Sequence, residues 1–182
     1  MLPHPFQFHR PATLDAALEL RAQHGDDGTF YAGGTELLLA LKARVLRYDH
    51  LIDLKGIPSL RGVRLESDEI VIGALTSHLD LARDALMHRH VPAYAGLSNN
   101  IANIRVRVAG SIGGNLCFGE PHADPPSLLA ALGARVTLRG PEGIRSVLVA
   151  EFIEDEFTTQ RRDDEIMTAV HIPLPRSDER FT

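Results

Sequence analysis

Two glycine-rich segments hold the residues of this sequence that are best suited to chemistry. The first is Ala32–Glu36 (Ala-Gly-Gly-Thr-Glu) and the second is Ser111–Asn115 (Ser-Ile-Gly-Gly-Asn). Glycine adopts positive φ at no steric cost and lets a ligand approach the backbone, so that consecutive N–H groups converge into an anion-binding nest. Two such nests in one small protein favour a ligand with two phosphate groups. A dinucleotide pyrophosphate is the simplest candidate.

A tight turn without a ligand is the alternative for either segment, and the sequence of one segment alone leaves it open. The glycine spacing matches neither the G-x-G-x-x-G of a Rossmann dinucleotide site nor the G-x-x-x-x-G-K-[ST] of a P-loop. The pattern therefore disfavours a nicotinamide-type Rossmann site and an NTPase.

The first segment needs a strand before it and a helix after it. The sequence predicts a strand over 28–32, a helix over 37–44 that starts at Thr35 or Glu36, and a strand over 50–54. A helix over 13–24 precedes them, with Thr13 suited to its N-cap and Gly25 just past its end. This order predicts a small β-α-β lobe that ends near Lys55.

The second segment lies in a longer region of mixed pattern. Helices are predicted from Thr76-Ser77 towards His90, over 92–103 and over 125–132. A strand within 106–115 is expected to lead into the second glycine segment. Further strands are predicted over 69–74, 136–138, 147–149 and 166–172. The residues between them over 151–159 are predicted to be a polar connection anchored by Phe152 and Phe157.

The composition is that of an ordinary globular protein. The 182 residues carry a formal net charge of -5, which gives no reason to expect nucleic-acid binding. No apolar run approaches the roughly 20 residues of a membrane span, and Met1–Arg10 lacks the pattern of a signal peptide. The single cysteine, Cys117, cannot form an internal disulfide or hold an iron–sulfur cluster alone. We expect a cytoplasmic protein.

The two segments and their surroundings resemble a known family. The stretch Tyr31–Lys42 resembles the first flavin loop of the FAD-binding (medium) subunit of molybdenum hydroxylases of the carbon monoxide dehydrogenase and xanthine dehydrogenase type. The stretch Ile104–Ala134 resembles the second flavin loop and the helix after it. The matching positions there are Arg107, Ser111–Asn115, Pro121–Asp124 and Leu128–Leu132. Residues 164–173 are similar to the last strand of that flavin domain.

The resemblance implies an α+β, two-lobed FAD-binding fold of the vanillyl-alcohol-oxidase/PCMH type. It implies a first FAD-binding subdomain over 1–56, a second over 57–176 and a tail over 177–182. Cofactor contacts are implied at Phe30, Tyr31, Ala32, Gly33, Gly34, Thr35, Glu36, Leu37, Ser111, Ile112, Gly113, Gly114, Asn115, Asp124 and Met167. No residue is assigned to catalysis or to metal binding.

The resemblance also implies an electron-transfer role. In this family a large subunit with a molybdenum cofactor oxidises the substrate, and a small subunit with [2Fe-2S] clusters passes the electrons to FAD. The flavin delivers them to NAD or another acceptor. Two alternatives are a stand-alone flavin-dependent oxidoreductase and a degenerate FAD domain that only scaffolds partners.

Three departures from the family pattern stand out. Val108 lies where the family often has Asn, and Ser111 lies where Thr is common, although the hydroxyl is kept. Family members continue into a third, C-terminal domain after the position of Thr182. We therefore expect either a truncated chain or a reduced natural form, with FAD affinity and flavin reactivity dependent on that domain.

Other reactive side chains carry weaker patterns. His88 and His90 are poorly spaced as ligands on one helix face, and His122 lacks an evident catalytic partner. Cys117 fits a small buried residue better than a nucleophile. Arg105 and Arg107 would share one face of a strand, where a phosphate contact and plain surface charge are both open. The acidic run 163–165 is predicted to be a solvated turn.

Overall fold

The computed structural model describes residues 4–174 of the chain, and three parallel strands form the sheet of its first lobe. These are β1 (Gln7–His9), β2 (Gly28–Tyr31) and β3 (His50–Asp53), in the order β1-β3-β2. Because all three strands run the same way, the residues that follow them meet at one edge of the sheet. The first glycine segment leaves β2 at this edge.

Two helices accompany this sheet. Helix α1 (Leu14–His24) is capped by Thr13, whose Oγ1 accepts a hydrogen bond from the Ala16 N–H, and it ends at Gly25 with a φ of 50°. Helix α2 (Leu37–Lys42) follows the first glycine segment. The predicted helices and the strands β2 and β3 are confirmed. The sequence analysis missed β1, which is too short to show a periodic pattern.

An antiparallel sheet forms the second lobe. Its strands are β4 (Val63–Glu66), β5 (Glu69–Gly73), β6 (Arg135–Gly140), β7 (Gly143–Leu148) and β10 (Ile166–Pro173), in the order β4-β5-β10-β6-β7. Strands β8 (Ile153–Asp155) and β9 (Thr158–Thr159) form a separate hairpin in the predicted polar connection. The four predicted strands match or overlap β5, β6, β7 and β10, whereas β4 was not predicted.

Seven helices of the second lobe pack around this sheet within residues 4–174. They are α3 (His78–Arg83), α4 (Ala85–His90), α5 (Pro92–Asn100), α6 (Ile104–Ala109), α7 (Ile112–Phe118), α8 (Asp124–Ala131) and α9 (Val149–Phe152). The predicted single helix up to His90 is broken at Asp84. This residue is extended, and its carboxylate accepts hydrogen bonds from the N–H groups of Leu86 and Met87 to start α4.

The strand predicted within 106–115 is wrong. Residues Ile104–Ala109 form α6, and Ser111 is the N-cap of α7. The β-branched residues of Ile-Arg-Val-Arg-Val favour a strand by propensity. The Asn103 side chain overrides that preference, because its Oδ1 accepts from the N–H groups of Arg105 and Val106 and caps a helix. Arg105 and Arg107 therefore do not share a strand face.

The two lobes share buried apolar contacts. One cluster fills the second lobe between the antiparallel sheet and its helices. A second cluster joins Ala17, Ile52 and Leu54 of the first lobe to Leu75 and Ile166 of the second. The division at residue 56 remains a prediction, although the two sheets fall on either side of it, and the predicted tail 177–182 lies outside the described residues. No helix in residues 4–174 is both long and apolar enough to cross a bilayer.

Candidate functional site

The two glycine segments, far apart in sequence, lie against each other where the lobes meet. A Cβ atom added to Gly33 would overlap the Ala109 carbonyl group and lie 3.0 Å from the Gly110 Cα. A Cβ added to Gly114 would lie 3.7 Å from the Ala32 Cβ. The residues predicted as one site are thus brought together, and Gly33 is needed for the backbones to approach this closely.

The first segment carries backbone donors that the protein itself does not use. Within residues 4–174, none of the N–H groups of residues 33–37 donates to a protein acceptor. Gly34 has a φ of 71°, and a Cβ there would lie 2.5 Å from the Tyr31 ring, so the turn requires glycine. Because α2 has only six residues, the donors of the turn matter more than the helix dipole. This turn is a half-buried set of N–H groups available to an anion.

The second segment is not a nest of free N–H groups, and that interpretation of the sequence was wrong. The N–H groups of Ile112 and Gly113 donate to the carbonyl oxygens of Thr76 (3.2 Å) and Ala74 (2.8 Å). The N–H of Gly114 donates to Ser111 Oγ at 3.2 Å. The physical reason is that this segment forms the first turn of α7 and is docked on the end of β5. The glycine at position 113 serves close packing, since a Cβ there would lie 2.7 Å from the Ala74 Cβ.

Asn115 is the residue of the second segment that has an unused polar group. Its Oδ1 is buried and has no hydrogen-bond partner, while the rest of the side chain is half-buried. A buried acceptor without a donor costs about 1–3 kcal/mol. A ligand N–H or O–H group that reaches this oxygen would remove that cost.

Lys55 is a charged residue beside the first segment that the sequence analysis missed as a site residue. Its Nζ lies 2.9 Å from Asp53 Oδ1, donates to the Ala32 carbonyl at 3.0 Å and sits 4.0 Å from the centre of the Tyr31 ring. Burial and the Asp53 carboxylate raise the pKa of Tyr31 above its ordinary value. Lys55 follows β3 as Ala32 follows β2. The two residues meet because β2 and β3 pair in parallel, and the sequence alone does not show that pairing.

The remaining predicted contacts lie farther along the second lobe. Asp124 is exposed in the first turn of α8, a helix that packs against α7. Met167 is 4% exposed and belongs to the core cluster, on strand β10 beneath α7. Phe30, Tyr31 and Leu37 are half-buried and flank the first segment.

Several other candidates have structural roles. Arg107 donates to the carbonyls of Ile101 (2.8 Å) and Ala102 (3.1 Å), which explains its charge without a phosphate. Burial raises the pKa of Cys117 to about 11, which keeps the side chain a thiol. His122 is exposed and bonded to Glu120, and this hydrogen bond raises its pKa.

The acidic run 163–165 is only partly the solvated turn predicted. Asp163 and Asp164 are exposed, but Glu165 is 4% exposed and bonded to Arg145 through both carboxylate oxygens at 2.6 and 2.7 Å. Burial opposes ionisation of Glu165, yet the hydrogen bonds from Arg145 and the Arg162 N–H hold its pKa below the ordinary value. Strand β7 places Arg145 beside this turn, so the pairing of Glu165 depends on the fold.

His78 is a buried titratable group next to the lobe junction. The residue is 2% exposed. Its backbone N–H donates to the Gly110 carbonyl at 3.1 Å, and its ring Nδ1 has no partner. Burial lowers the pKa of His78 to about 4. The imidazole is therefore neutral at neutral pH.

Two surface cavities lie away from the junction. One of about 350 Å³ is lined by residues of the first lobe, which include Phe6, Leu41 and Tyr48. The other, of about 260 Å³, lies between α1 and the turn at Pro141. Neither is lined by a residue of the glycine segments, so the junction is distinguished by its backbone donors and orphaned acceptor rather than by a closed cavity.

Comparison with known proteins gives a consistent family. Residues 4–175 match the family model described as the FAD binding domain in molybdopterin dehydrogenase. The carbon monoxide dehydrogenase medium chain of Afipia carboxidovorans is 36% identical over 96% of this chain and 61% of its own length. The xanthine dehydrogenase FAD-binding subunit of Escherichia coli O157:H7 is 32% identical over 91% of this chain and 57% of its own length.

A solved structure shows the same fold. Carbon monoxide dehydrogenase from Hydrogenophaga pseudoflava, in a form that lacks the Mo-pyranopterin moiety of its cofactor, superposes with a TM-score of 0.94 at 36% identity. The match covers 97% of this chain and 62% of that chain. The two-lobed flavin-binding fold expected from the sequence is confirmed. The chain spans about 60% of the length of the curated relatives it matches.

Replacement of Gly33 by alanine is expected to push the lobes apart where Gly33 contacts Ala109. Because the new Cβ would overlap the backbone of Ala109, which cannot yield as a side chain can, we expect a loss of about 1–3 kcal/mol in the free energy of unfolding. Urea denaturation measures it. The matched control is Gly96→Ala, at an exposed helix position with nothing within 4 Å, which should gain up to about 1 kcal/mol. Equal stability of the two variants would contradict the close contact.

His78 is expected to make the protein sensitive to mild acid. Its pKa in the folded protein, about 4, lies below the ordinary 6.5, so the unfolded chain binds the extra proton. The free energy of unfolding should therefore fall as pH is lowered from about 6.5 to 4, by up to about 3 kcal/mol from this group. Urea denaturation at pH 7.5 and pH 4.5 should show a smaller fall for His78→Gln than for the control His90→Gln. An identical fall in both variants would refute this assignment.

Proposed function

This chain belongs to the family of FAD-binding domains in molybdopterin dehydrogenases, and from that premise we propose that it holds FAD where its two glycine segments meet. It serves there as the electron-transfer module of a molybdenum-containing hydroxylase or dehydrogenase. The observation that carries the proposal is the contact between the segments, since it puts unused N–H groups and the orphaned Asn115 oxygen at one junction.

The residues present fit FAD. The unused N–H groups of residues 33–37 are suited to the oxygens of a pyrophosphate. Lys55 adds positive charge at the same edge, although Asp53 shares it. The buried Oδ1 of Asn115 is suited to a donor group of the cofactor.

The two segments have different tasks in this proposal. The first segment, with Phe30–Leu37, binds the cofactor through its backbone. The second segment, Ser111–Asn115, packs against the first segment and contributes the Asn115 side chain to the site. We keep Asp124 and Met167 as proposed contacts, and the buried position of Met167 means that a ligand reaches it only if a neighbouring side chain moves.

When bound, FAD supplies the redox chemistry, and the protein supplies binding, orientation and electrostatics. At neutral pH His78 is neutral and Cys117 is a thiol, so neither of these two side chains adds a charge to the second lobe. We assign no catalytic residue.

The partners follow from the same family. We propose that a small subunit with [2Fe-2S] clusters delivers electrons that a large molybdenum-cofactor subunit takes from the substrate, and that NAD or another acceptor receives them from FAD. Relatives named as medium chain and FAD-binding subunit support this proposal. The net charge of -5 gives no reason to propose nucleic-acid binding. We also propose a cytoplasmic location, which cell fractionation tests.

Asn115→Leu is expected to weaken FAD binding without loss of stability. Leucine removes an acceptor that has no donor in the free protein, so the free energy of unfolding without FAD should stay constant or rise by about 1 kcal/mol. FAD loses a hydrogen bond, which should weaken binding roughly two- to tenfold. Fluorescence titration with FAD and urea denaturation measure the two quantities.

The control for this variant is Asn99→Leu, an exposed position on α5. It should leave FAD affinity unchanged. A protein that takes up no FAD, or an Asn115→Leu variant with unchanged affinity and lower stability, would overturn the site. The degenerate scaffold is then the better description.

Affinity purification of the tagged chain from its own cells tests the partners. We expect recovery of iron and molybdenum with the chain, measured by elemental analysis, because the partner subunits carry those cofactors. Recovery of the chain with FAD alone would favour a stand-alone flavin oxidoreductase.

A further inference from the structure

Three histidines converge in the first lobe, away from the glycine segments. They are His9 at the end of β1, His24 at the end of α1 and His50 at the start of β3, and one nitrogen from each lies within 4.8 Å of the other two. His9 Nε2 and His50 Nδ1 are 3.0 Å apart. The rings of His24 and His50 are stacked, with centroids 3.7 Å apart and an angle of 16° between their planes.

The sheet register explains how these side chains meet. Gln7 pairs with His50, and side chains two residues apart on a strand share a face, so His9 lies diagonally beside His50. Gly28 pairs with His50 from the other side. A Cβ on Gly28 would lie 3.0 Å from the Cβ of His24, so glycine leaves the space through which the end of α1 reaches His50.

The cluster contains an unused ligand atom. The Nε2 of His24 is buried and has no hydrogen-bond partner. Burial and the nearby His50 and His9 lower the pKa of His24, while Asp27 opposes the shift. Metal ions bind the neutral imidazole, and the unpartnered Nε2 can bind one without the loss of an existing hydrogen bond.

We propose that His9, His24 and His50 bind a divalent transition-metal ion of the Zn²⁺ class through their imidazole nitrogens. Imidazole suits Zn²⁺, Cu²⁺ and Ni²⁺. Tetrahedral Zn²⁺ with Zn–N bonds near 2.0 Å separates its ligand nitrogens by about 3.3 Å, close to the 3.0 Å between His9 and His50. Three protein ligands leave a fourth position for water or another ligand.

Binding requires two changes. The hydrogen bond between His9 Nε2 and His50 Nδ1 is lost, so that each nitrogen offers its lone pair to the ion. Two parallel rings 3.7 Å apart cannot both point a lone pair at one ion, so the His24–His50 stack opens when the ion enters. All three side chains are half-buried, which leaves room for that rotation. The ion then cross-links β1, α1 and β3.

The sequence analysis found no metal ligands because these residues come from three different elements and show no ligand spacing. The histidines weighed as ligands from sequence have other partners, since His88 Nε2 is bonded to the Ala82 carbonyl at 2.9 Å and His122 Nδ1 to Glu120 at 2.8 Å. The new site depends on the parallel order β1-β3-β2 and on the docking of α1.

Calorimetric titration of the chelator-treated chain with ZnCl₂ tests the proposal. We expect saturable binding of one Zn²⁺ per chain, and a melting temperature that rises with Zn²⁺. His50→Ala should weaken binding by at least about tenfold, since removal of a group that only hydrogen-bonds a metal ligand already costs that much. The control, His88→Ala/His90→Ala, removes the same kind of side chain from the second lobe and should bind as the parent does.

His9→Ala, on an edge strand, decides the outcome if His50→Ala does not fold. Circular dichroism checks the fold of each variant, and FAD titration in parallel keeps this site separate from the proposed flavin site. Absence of saturable Zn²⁺ binding, or equal affinity of the parent and His9→Ala, would overturn the proposal. Loss of binding in the His88→Ala/His90→Ala control would do so as well.

Discussion

The close approach of two backbones at Gly33 is the constraint on which the junction of this protein depends. A side chain at that position would overlap Ala109, so only glycine allows the two lobes to meet there. Below the contact, Ile52 and Leu54 share an apolar cluster with Leu75 and Ile166, which holds the lobes in the same arrangement. The contact brings the first glycine segment against the residues that lead into the second.

Two segments of similar composition have become different pieces of structure. The first leaves a parallel strand and enters a short helix, so the N–H groups of residues 33–37 remain available. The second begins α7 on the end of β5, and its N–H groups bond to Ala74, Thr76 and Ser111. The difference lies in what each segment is docked against. In the first segment Gly33 allows a close backbone contact and Gly34 a positive φ, whereas in the second segment Gly113 serves close packing against Ala74.

The small parallel sheet carries residues of both proposed sites, the flavin site and the metal site. The first glycine segment and Lys55 lie at the edge where the strands end. His50 is the first residue of β3, and its partner Gly28 is the first of β2, whereas His9 is the last residue of β1 and its ring reaches back to His50. A metal ion bound by the three histidines would link β1, α1 and β3, and none of these histidines belongs to the first glycine segment. The two sites can therefore be tested independently.

The sequence by itself determined the family, the two glycine segments, α1 with its Thr13 cap and most strands, because these depend on short-range patterns and caps. The tertiary structure showed residues 104–109 to be helical, although the Asn103 cap that starts this helix is a local contact, because the β-branched neighbours favour a strand by propensity. It also decided which N–H groups are free, that Glu165 is paired with Arg145, and that Lys55 and the three histidines reach their neighbours. The physical reason is that these contacts join elements far apart in sequence, and the order of strands and the docking of helices set them.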